Sequence, residues 1–421
     1  MKTNKTQNIS YMGPFLSMVF LFLIVGFLTT ANTQFQGPLQ EAFLSNAGHY
    51  QNTLATLISF SWFLAYPIAG IIGAKWVDRK GYKVTLLRGV VVMVVGLLLF
   101  FLSSWFTVKY PGSVFNFGEI VLPVGFIIFL LGSFVLGSSA TILQVVINPY
   151  LTACDVKGTQ AVQRLAIGGT ANSIGTTAAP YFVTGIVFGG VAMQDVQVSQ
   201  IMTPFLCLAA VMLIVFVLLK ILPLPDIQES RNASGETLER SIWSFRHLTL
   251  GVIAIFFYVG CEVCIGANIN MYAIENGLAS PALLATIYWG GMLVGRSVGS
   301  TLSRISPRVQ LCVNTLAAST LLVLAVLFDS PWLLAFTGLF HSTMWGAIFT
   351  LATDSLGKYT SVATGVFMTG VVGGAILPII QGGLADMAGS WRFTWLFVLI
   401  GEAIMLLYAL IGSKVKSSDK Q

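Results

Sequence analysis

The chain has 421 residues, 56% of them hydrophobic and only 9% charged, with a mean hydropathy of +0.83 and a formal net charge of +6. This composition excludes a soluble globular protein, and apolar segments of about 20 residues, each able to cross about 30 Å of hydrocarbon as a helix, recur along the whole length. The five cysteines are odd in number and sit in or beside apolar segments, which suits reduced thiols rather than a disulfide framework.

Hydropathy predicts an all-α polytopic membrane protein with twelve spans, near residues 12–34, 51–74, 83–105, 120–147, 162–190, 202–222, 248–273, 281–303, 309–328, 331–352, 361–385 and 391–412. The first segment lacks a small-residue cleavage site and is longer than a signal-peptide core, so it is kept as a span. The one long polar interval is 223–247, which divides the chain into an N-terminal half (1–222), a linker (223–247), a C-terminal half (248–412) and a tail (413–421). With the N-terminus inside, all but two of the 22 Lys and Arg residues fall on the cytoplasmic side, leaving only Lys109 and Arg392 outside. That asymmetry puts both termini in the cytoplasm and accounts for the positive charge without a nucleic-acid partner. The Asn232-Ala233-Ser234 sequon then lies on the cytoplasmic side, away from glycosylation.

Polar residues inside the spans carry the functional reading. Asn32, Thr33, Gln34 and Gln36 mark the outer part of span one. Between spans two and three, Gly73 to Lys83 forms a short basic loop holding Asp78, Arg79 and a turn glycine, Gly81. Gln144 and Asn148 lie four apart on span four, one helical neighbour step, so both can meet one ligand. Asn172 lies on span five. On span seven, Tyr258 and Glu262 share a face and Asn270 follows two turns on. A carboxylate at bilayer depth costs roughly 2.5 to 3.5 kcal/mol on insertion scales, so Glu262 is expected to face a polar cavity or a partner. It can take a proton, ligate Na⁺ or accept sugar hydroxyls; the alternative is a structural charge paired with His341 or Arg296. On span ten, His341 and Trp345 stand four apart and could hydrogen-bond and stack on one ligand, or His341 could be a satisfied structural residue. Amides anywhere in this set could equally serve interhelical hydrogen bonds. No phosphate-cradling loop, metal cluster or soluble nucleotide-hydrolysing domain is visible, which argues for a secondary transporter rather than an enzyme or a primary pump.

The loop Gly73-Ala74-Lys75-Trp76-Val77-Asp78-Arg79-Lys80-Gly81-Tyr82-Lys83 resembles the G-x-x-x-D-R-x-G-x-K/R signature of the major facilitator superfamily, with its first glycine displaced by one position. Gly26-Phe27-Leu28-Thr29 with Asn32, Asn148-Pro149-Tyr150, Arg164-Leu165 with Asn172-Ser173-Ile174-Gly175, Tyr258-Val259-Gly260-Cys261-Glu262-Val263, Tyr288-Trp289-Gly290-Gly291 with Gly295-Arg296, and Gly373 to Pro378 narrow the resemblance to its fucose, galactose and glucose:proton symporter family. The resemblance implies two six-helix halves and a monosaccharide imported by symport with H⁺ or Na⁺ through alternating access. A uniporter, or a sugar sensor that no longer cycles, is the alternative. It implies no other cofactor, no partner beyond sugar and lipid, and a monomer in the plasma membrane. Asp78 and Arg79 would latch helix ends across the cytoplasmic face, with Arg296 as a further gating residue. Asn32, Gln34, Gln144, Asn148, Asn172, Tyr258, Asn270, His341 and Trp345 would bind substrate. The family's acids in helices one and four are replaced here by Thr33 and Gln144, and its fifth-helix Asn and Gln by Ala166 and Gly169, so coupling is expected to fall on Glu262. Glu402, mid-span in a helix the superfamily places at the periphery, is read as structural or lipid-edge.

Overall fold

A computed structural model of the chain describes residues 11–45, 48–118, 120–154, 156–159, 161–191, 195–224, 240–301 and 305–415. The sequon and most of the predicted linker and tail lie outside the described residues. The chain is mostly helical. In the N-terminal half α1 is Met12–Gln34, α2 Gln36–Leu44, α3 Gln51–Lys109, α4 Val124–Ala153, α5 Ala161–Tyr181 and α6 Met202–Ile221. The C-terminal half holds α7 Arg246–Glu275, α8 Pro281–Thr301, α9 Pro307–Phe328, α10 Pro331–His341, α11 Met344–Thr353, α12 Thr360–Thr369, α13 Gly373–Ala388 and α14 Trp395–Leu407. Among the described residues, nine helical stretches are long and apolar enough to cross a membrane.

The 59 residues of α3 would extend about 90 Å if straight, three times a hydrocarbon core. They do not run straight. Gly81 sits at φ 80°, ψ 173°, a backbone conformation that a side chain would forbid, and this is the turn glycine of the basic loop. Gly73 before it and Gly89 after it both pack against Ile142 of α4, so the two arms of α3 lie side by side. The fourth span starts later than hydropathy suggests. Val114–Phe117 (β1) and Ile120–Pro123 (β2) form an antiparallel hairpin, with Val114 opposite Pro123, and the helix begins only after the extended Pro123. Alternating Val, Phe and Ile there are apolar enough to mimic a helix start. The predicted spans ten and eleven are each interrupted, at Ser342–Thr343 and through a tight turn at Gly370–Val372.

Within lipid, helices gain little from hydrophobic burial against one another, so close packing has to hold them. In the N-terminal half Phe100 and Phe129 stack with centroids 4.0 Å apart, and Phe35 meets both at their edges. Elsewhere backbones touch: a Cβ placed on Gly137 of α4 would lie 2.3 Å from the Trp62 carbonyl oxygen of α3. Gly137→Ala should therefore force α3 and α4 apart, costing about 1–3 kcal/mol as overpacking does. A lowered unfolding midpoint in detergent, read by fluorescence-detected gel filtration, is the expected result; an unchanged midpoint would refute the close approach.

Candidate transport site and the seal above it

At one end of the bundle the halves are sealed together by polar groups. Gln34, at the end of α1, donates through Nε2 to the Gly266 carbonyl of α7 at 2.8 Å, and its Oε1 accepts from Asn270 Nδ2 at 2.6 Å. Asp386 of α13 accepts from the backbone N–H groups of Asn52 and Thr53 at 3.0 and 2.8 Å. Those are orphan donors of the first turn of α3, whose own N-cap Tyr50 offers no side-chain bond, so a carboxylate of one half caps a helix of the other. Gln34 and Asn270 are 1% and 2% exposed. The opposite end carries the Gly81 turn with Lys75, Arg79, Lys80 and Lys83.

Mid-bundle the picture changes. Gln144, Asn148 and Glu262 are half-buried, whereas Gln34 and Asn270 of the seal are enclosed; Asn52, Thr53 and Asp386 at the rim of the sealed end are half-buried as well. Side chains deep in the bundle keep access only if the opening lies toward the basic end. On the N-terminal side of this opening, Gln144 Nε2 donates to the Tyr66 hydroxyl of α3 at 3.0 Å, and Tyr66 stacks on Phe63 with centroids 5.7 Å apart. Asn148 follows one turn below, beside Pro149 within α4.

On the C-terminal side the groups form one connected set. Tyr258, one turn before Glu262 on α7, has its hydroxyl 3.1 Å from Glu262 Oε1 and 3.0 Å from the His341 carbonyl oxygen. A hydroxyl carries one hydrogen and can donate to one of these at a time. Tyr288 of α8 lies 3.3 Å from the Glu262 carbonyl and 2.9 Å from His341 Nδ1. His341 Nε2 lies 2.8 Å from Glu402 of α14. Arg296 of α8 donates through Nη1 to Ser173 Oγ of α5 at 2.6 Å, tying the two halves at this level. The Arg296 guanidinium and the His341 ring both lie within electrostatic reach of the Glu262 carboxylate. A largely buried, partly accessible carboxylate held by one tyrosine, facing amides and an aromatic ring, can bind a cation and accept hydroxyls of a neutral polyol. Among the described residues no cluster of His, Cys, Asp and Glu suited to a metal ion is found.

Residues 22–372 match the Major Facilitator Superfamily model. The chain is 33% identical over 423 residues to a glucose/galactose transporter of Brucella abortus, covering 98% of this chain and 97% of the relative. The chain belongs to the major facilitator superfamily. It is also 24% identical to the L-fucose-proton symporter of Escherichia coli, over 98% of this chain and 96% of that one. The fold matches the Escherichia coli fucose:proton symporter FucP with a TM-score of 0.66 at 21% identity, over 97% of this chain and 100% of that chain. These relatives are membrane transporters, not enzymes.

Within this superfamily fold the sequence-predicted residues separate into three groups. Gln144, Asn148 and Glu262 are brought to the mid-bundle opening, with Tyr258, predicted to bind substrate, fully enclosed behind Glu262 and its hydroxyl occupied there. Gln34 and Asn270 are brought together too, but into the seal, where each occupies the other. Asn32 and Asn172 tie helices: Asn32 Nδ2 donates to the Ile58 carbonyl at 3.2 Å with Ser133 Oγ 2.8 Å from its Oδ1, and Asn172 Nδ2 donates to the Phe22 carbonyl at 3.0 Å. His341 is fully enclosed and both its ring nitrogens are engaged, so in this structure it offers no face to a pyranose. Trp345, beyond the Ser342–Thr343 interruption, stacks on Phe349 at 5.4 Å. The alternative for Glu262, a structural charge paired with His341 or Arg296, meets a different arrangement: the ring of His341 goes to Glu402, and the Tyr258 hydroxyl lies against Glu262. Glu402 is not at the lipid edge, being 0% exposed and turned inward onto His341. Asp78 and Arg79 are exposed at the basic end. Tyr66 and Tyr288 were not singled out in the sequence. The only available signal for Tyr288 was its place in the Tyr288-Trp289-Gly290-Gly291 motif, and Tyr66 had none.

Proposed function

We propose that the chain imports a monosaccharide, a hexose or deoxyhexose, by symport with a cation, H⁺ or Na⁺, through alternating access. The observation that carries this reading is the partly accessible Glu262 facing the Tyr66–Gln144 pair across a mid-bundle opening, in a chain similar end to end to a named glucose/galactose transporter. Counting the two arms of α3 separately and adding α5 and α8 to the other long apolar stretches gives twelve crossings, six in each half. The positive-inside rule then puts the basic end and both termini in the cytoplasm. The sealed end faces outward, and the structure is the inward-facing state of a rocking pair of halves. Asp78 and Arg79, exposed here, would latch the cytoplasmic face when the halves rock the other way.

The sugar would lie between Gln144, Asn148 and Tyr66 on one side and Glu262 on the other, with Tyr258 enclosed behind Glu262 and holding it, and the cation at Glu262. Gln34 and Asn270 would close the path above it, and Arg296 would hold the halves at site level through Ser173. Net sugar uptake into proteoliposomes holding only this protein, driven first by an imposed pH gradient and then by an imposed Na⁺ gradient, tests the reading. Accumulation under one of them is expected; saturable binding without flux would leave a sensor, and flux that only equilibrates would leave a uniporter. Gln144→Ala should raise KM for sugar about tenfold, the loss of one or two buried hydrogen bonds to a neutral ligand. An unchanged KM would remove Gln144 from the binding set.

A further inference from the structure

Glu402 sits on a peripheral helix, takes no part in the opening, and is 0% exposed, as is the His341 ring 2.8 Å from it. A buried anion without a countercharge costs several kcal/mol, so the pair is stable only when net neutral. Three proton arrangements satisfy that, but one of them, with the acid hydrogen on Oε2 and Oε1 accepting from Nε2–H, leaves a buried hydroxyl with no acceptor, because Oε2 has no partner among the described residues, so two remain. In a carboxylate–imidazolium pair both ring nitrogens carry hydrogen. In a carboxylic acid–imidazole pair the acid donates to Nε2, which leaves the ring hydrogen on Nδ1. Both arrangements place a hydrogen on Nδ1. The Tyr288 hydroxyl, 2.9 Å from Nδ1, must then accept, and its own hydrogen is left for the Glu262 carbonyl at 3.3 Å. The chain of bonds from α14 to α7 therefore has one direction, set at its start by the acid of Glu402.

We propose that Glu402 is a positioning residue of the coupling site: through His341 and Tyr288 it fixes the direction of the hydrogen bonds ending at Glu262 and keeps the donor edge of the ring turned toward that helix. This rests on the reading of Glu262 as the cation site. The charged and titratable groups around the assembly are Tyr258, Cys261 and Cys264 on α7, Tyr288 and Arg296 on α8, Tyr66 on α3 and the His341–Glu402 pair itself. None of the others is bonded to His341 Nε2, so none can substitute for Glu402. A glutamine in its place shares no proton with the ring and its amide can turn either way; turned with its oxygen to Nε2, as the proposal takes it, it accepts from Nε2–H, Nδ1 becomes an acceptor, and the Tyr288 hydrogen turns from Glu262 to the ring. The surroundings of Glu262 then become less positive, and a cation binds there at lower concentration.

The test uses the full chain, which has three histidines, labelled with nitrogen-15 at histidine for NMR. Nδ1 of His341 should carry hydrogen in the wild type and lose it in Glu402→Gln. The cation concentration giving half-maximal uptake should fall several-fold in that variant. Tyr288→Phe should lower it in the same direction while Nδ1 stays protonated. Retention of hydrogen on Nδ1 in Glu402→Gln, or half-maximal concentrations within twofold of wild type in both variants, overturns the proposal. Should Glu402→Gln fail to insert, a wild-type His341 without hydrogen on Nδ1 overturns it alone. Glu262→Gln separates the two readings: cation dependence that survives there sinks Glu262 as the cation site, whereas the state of the His341 ring tests the Glu402 assignment independently.

Discussion

Glu262→Gln should abolish sugar accumulation while exchange of internal for external sugar continues. Glutamine keeps the shape of the side chain and can still accept from the Tyr258 hydroxyl, now 3.1 Å from Glu262 Oε1, so the framework around α7 is preserved. What it loses is the negative charge, the capacity to take a proton and the strength to ligate Na⁺. A symporter moving one positive charge with each sugar draws about 2.3 kcal/mol from a 100 mV potential, enough for roughly fifty-fold accumulation. Without a cation site that ratio should fall to about one. Counterflow needs the empty and loaded carriers to bind sugar but needs no net cation movement, so it reports binding and rocking alone. Radiolabelled sugar in proteoliposomes, with and without a gradient, reads both quantities. Wild-type accumulation in the variant would exclude Glu262 and return coupling to the N-terminal half. That outcome is hard to reconcile with the residues there, because Thr33 donates its hydroxyl to the Thr30 carbonyl at 2.8 Å and Gln144 is an amide bonded to Tyr66.

How much of this was legible in the sequence depended on distance along the chain. Tyr258 and Glu262 are four apart in one helix, and helical periodicity alone puts them on one face. The Gly81 turn was legible from a glycine amid charged residues, since few other residues tolerate its φ. Gln34–Asn270, His341–Glu402 and Asp386–Asn52 join positions between 61 and 334 residues apart, and nothing in a membrane helix marks which other helix its polar side chain will meet. For Glu402 the sequence left a structural and a lipid-edge role open for this reason: a peripheral helix can turn one face inward, and the acid lies on that face. The interruption at Ser342–Thr343 was equally invisible, because neither residue is a helix breaker by propensity. It becomes intelligible from packing, as a Cβ on Gly295 of α8 would lie 2.2 Å from Ser342 Oγ and 2.4 Å from the Leu339 carbonyl.

The seal offers the second large effect. Asp386→Ala should shift the protein toward the state open at the sealed end. Asp386 is the one acceptor for two first-turn N–H groups of α3, and it reaches them from the other half of the molecule. A charge-assisted hydrogen bond contributes about 1.5–3 kcal/mol, and the helix dipole adds to it; partial solvent access at Asp386 reduces both. In the opposite state those amides can bond to water, so the carboxylate favours the sealed state differentially, which is the condition for it to move a population. A net loss of about 1.4 kcal/mol would raise the ratio of open to sealed molecules about tenfold. Gln34 and Asn270 should limit the change, since they hold α1 to α7 independently. Thr30 lies just below them at 1% exposure, so Thr30→Cys, in a chain whose five native cysteines are replaced, reports access from outside. Its labelling by a membrane-impermeant maleimide should accelerate about tenfold when Asp386→Ala is added. An unchanged rate would mean that the α1–α7 amides alone set the equilibrium and that the carboxylate cap follows the closure without driving it.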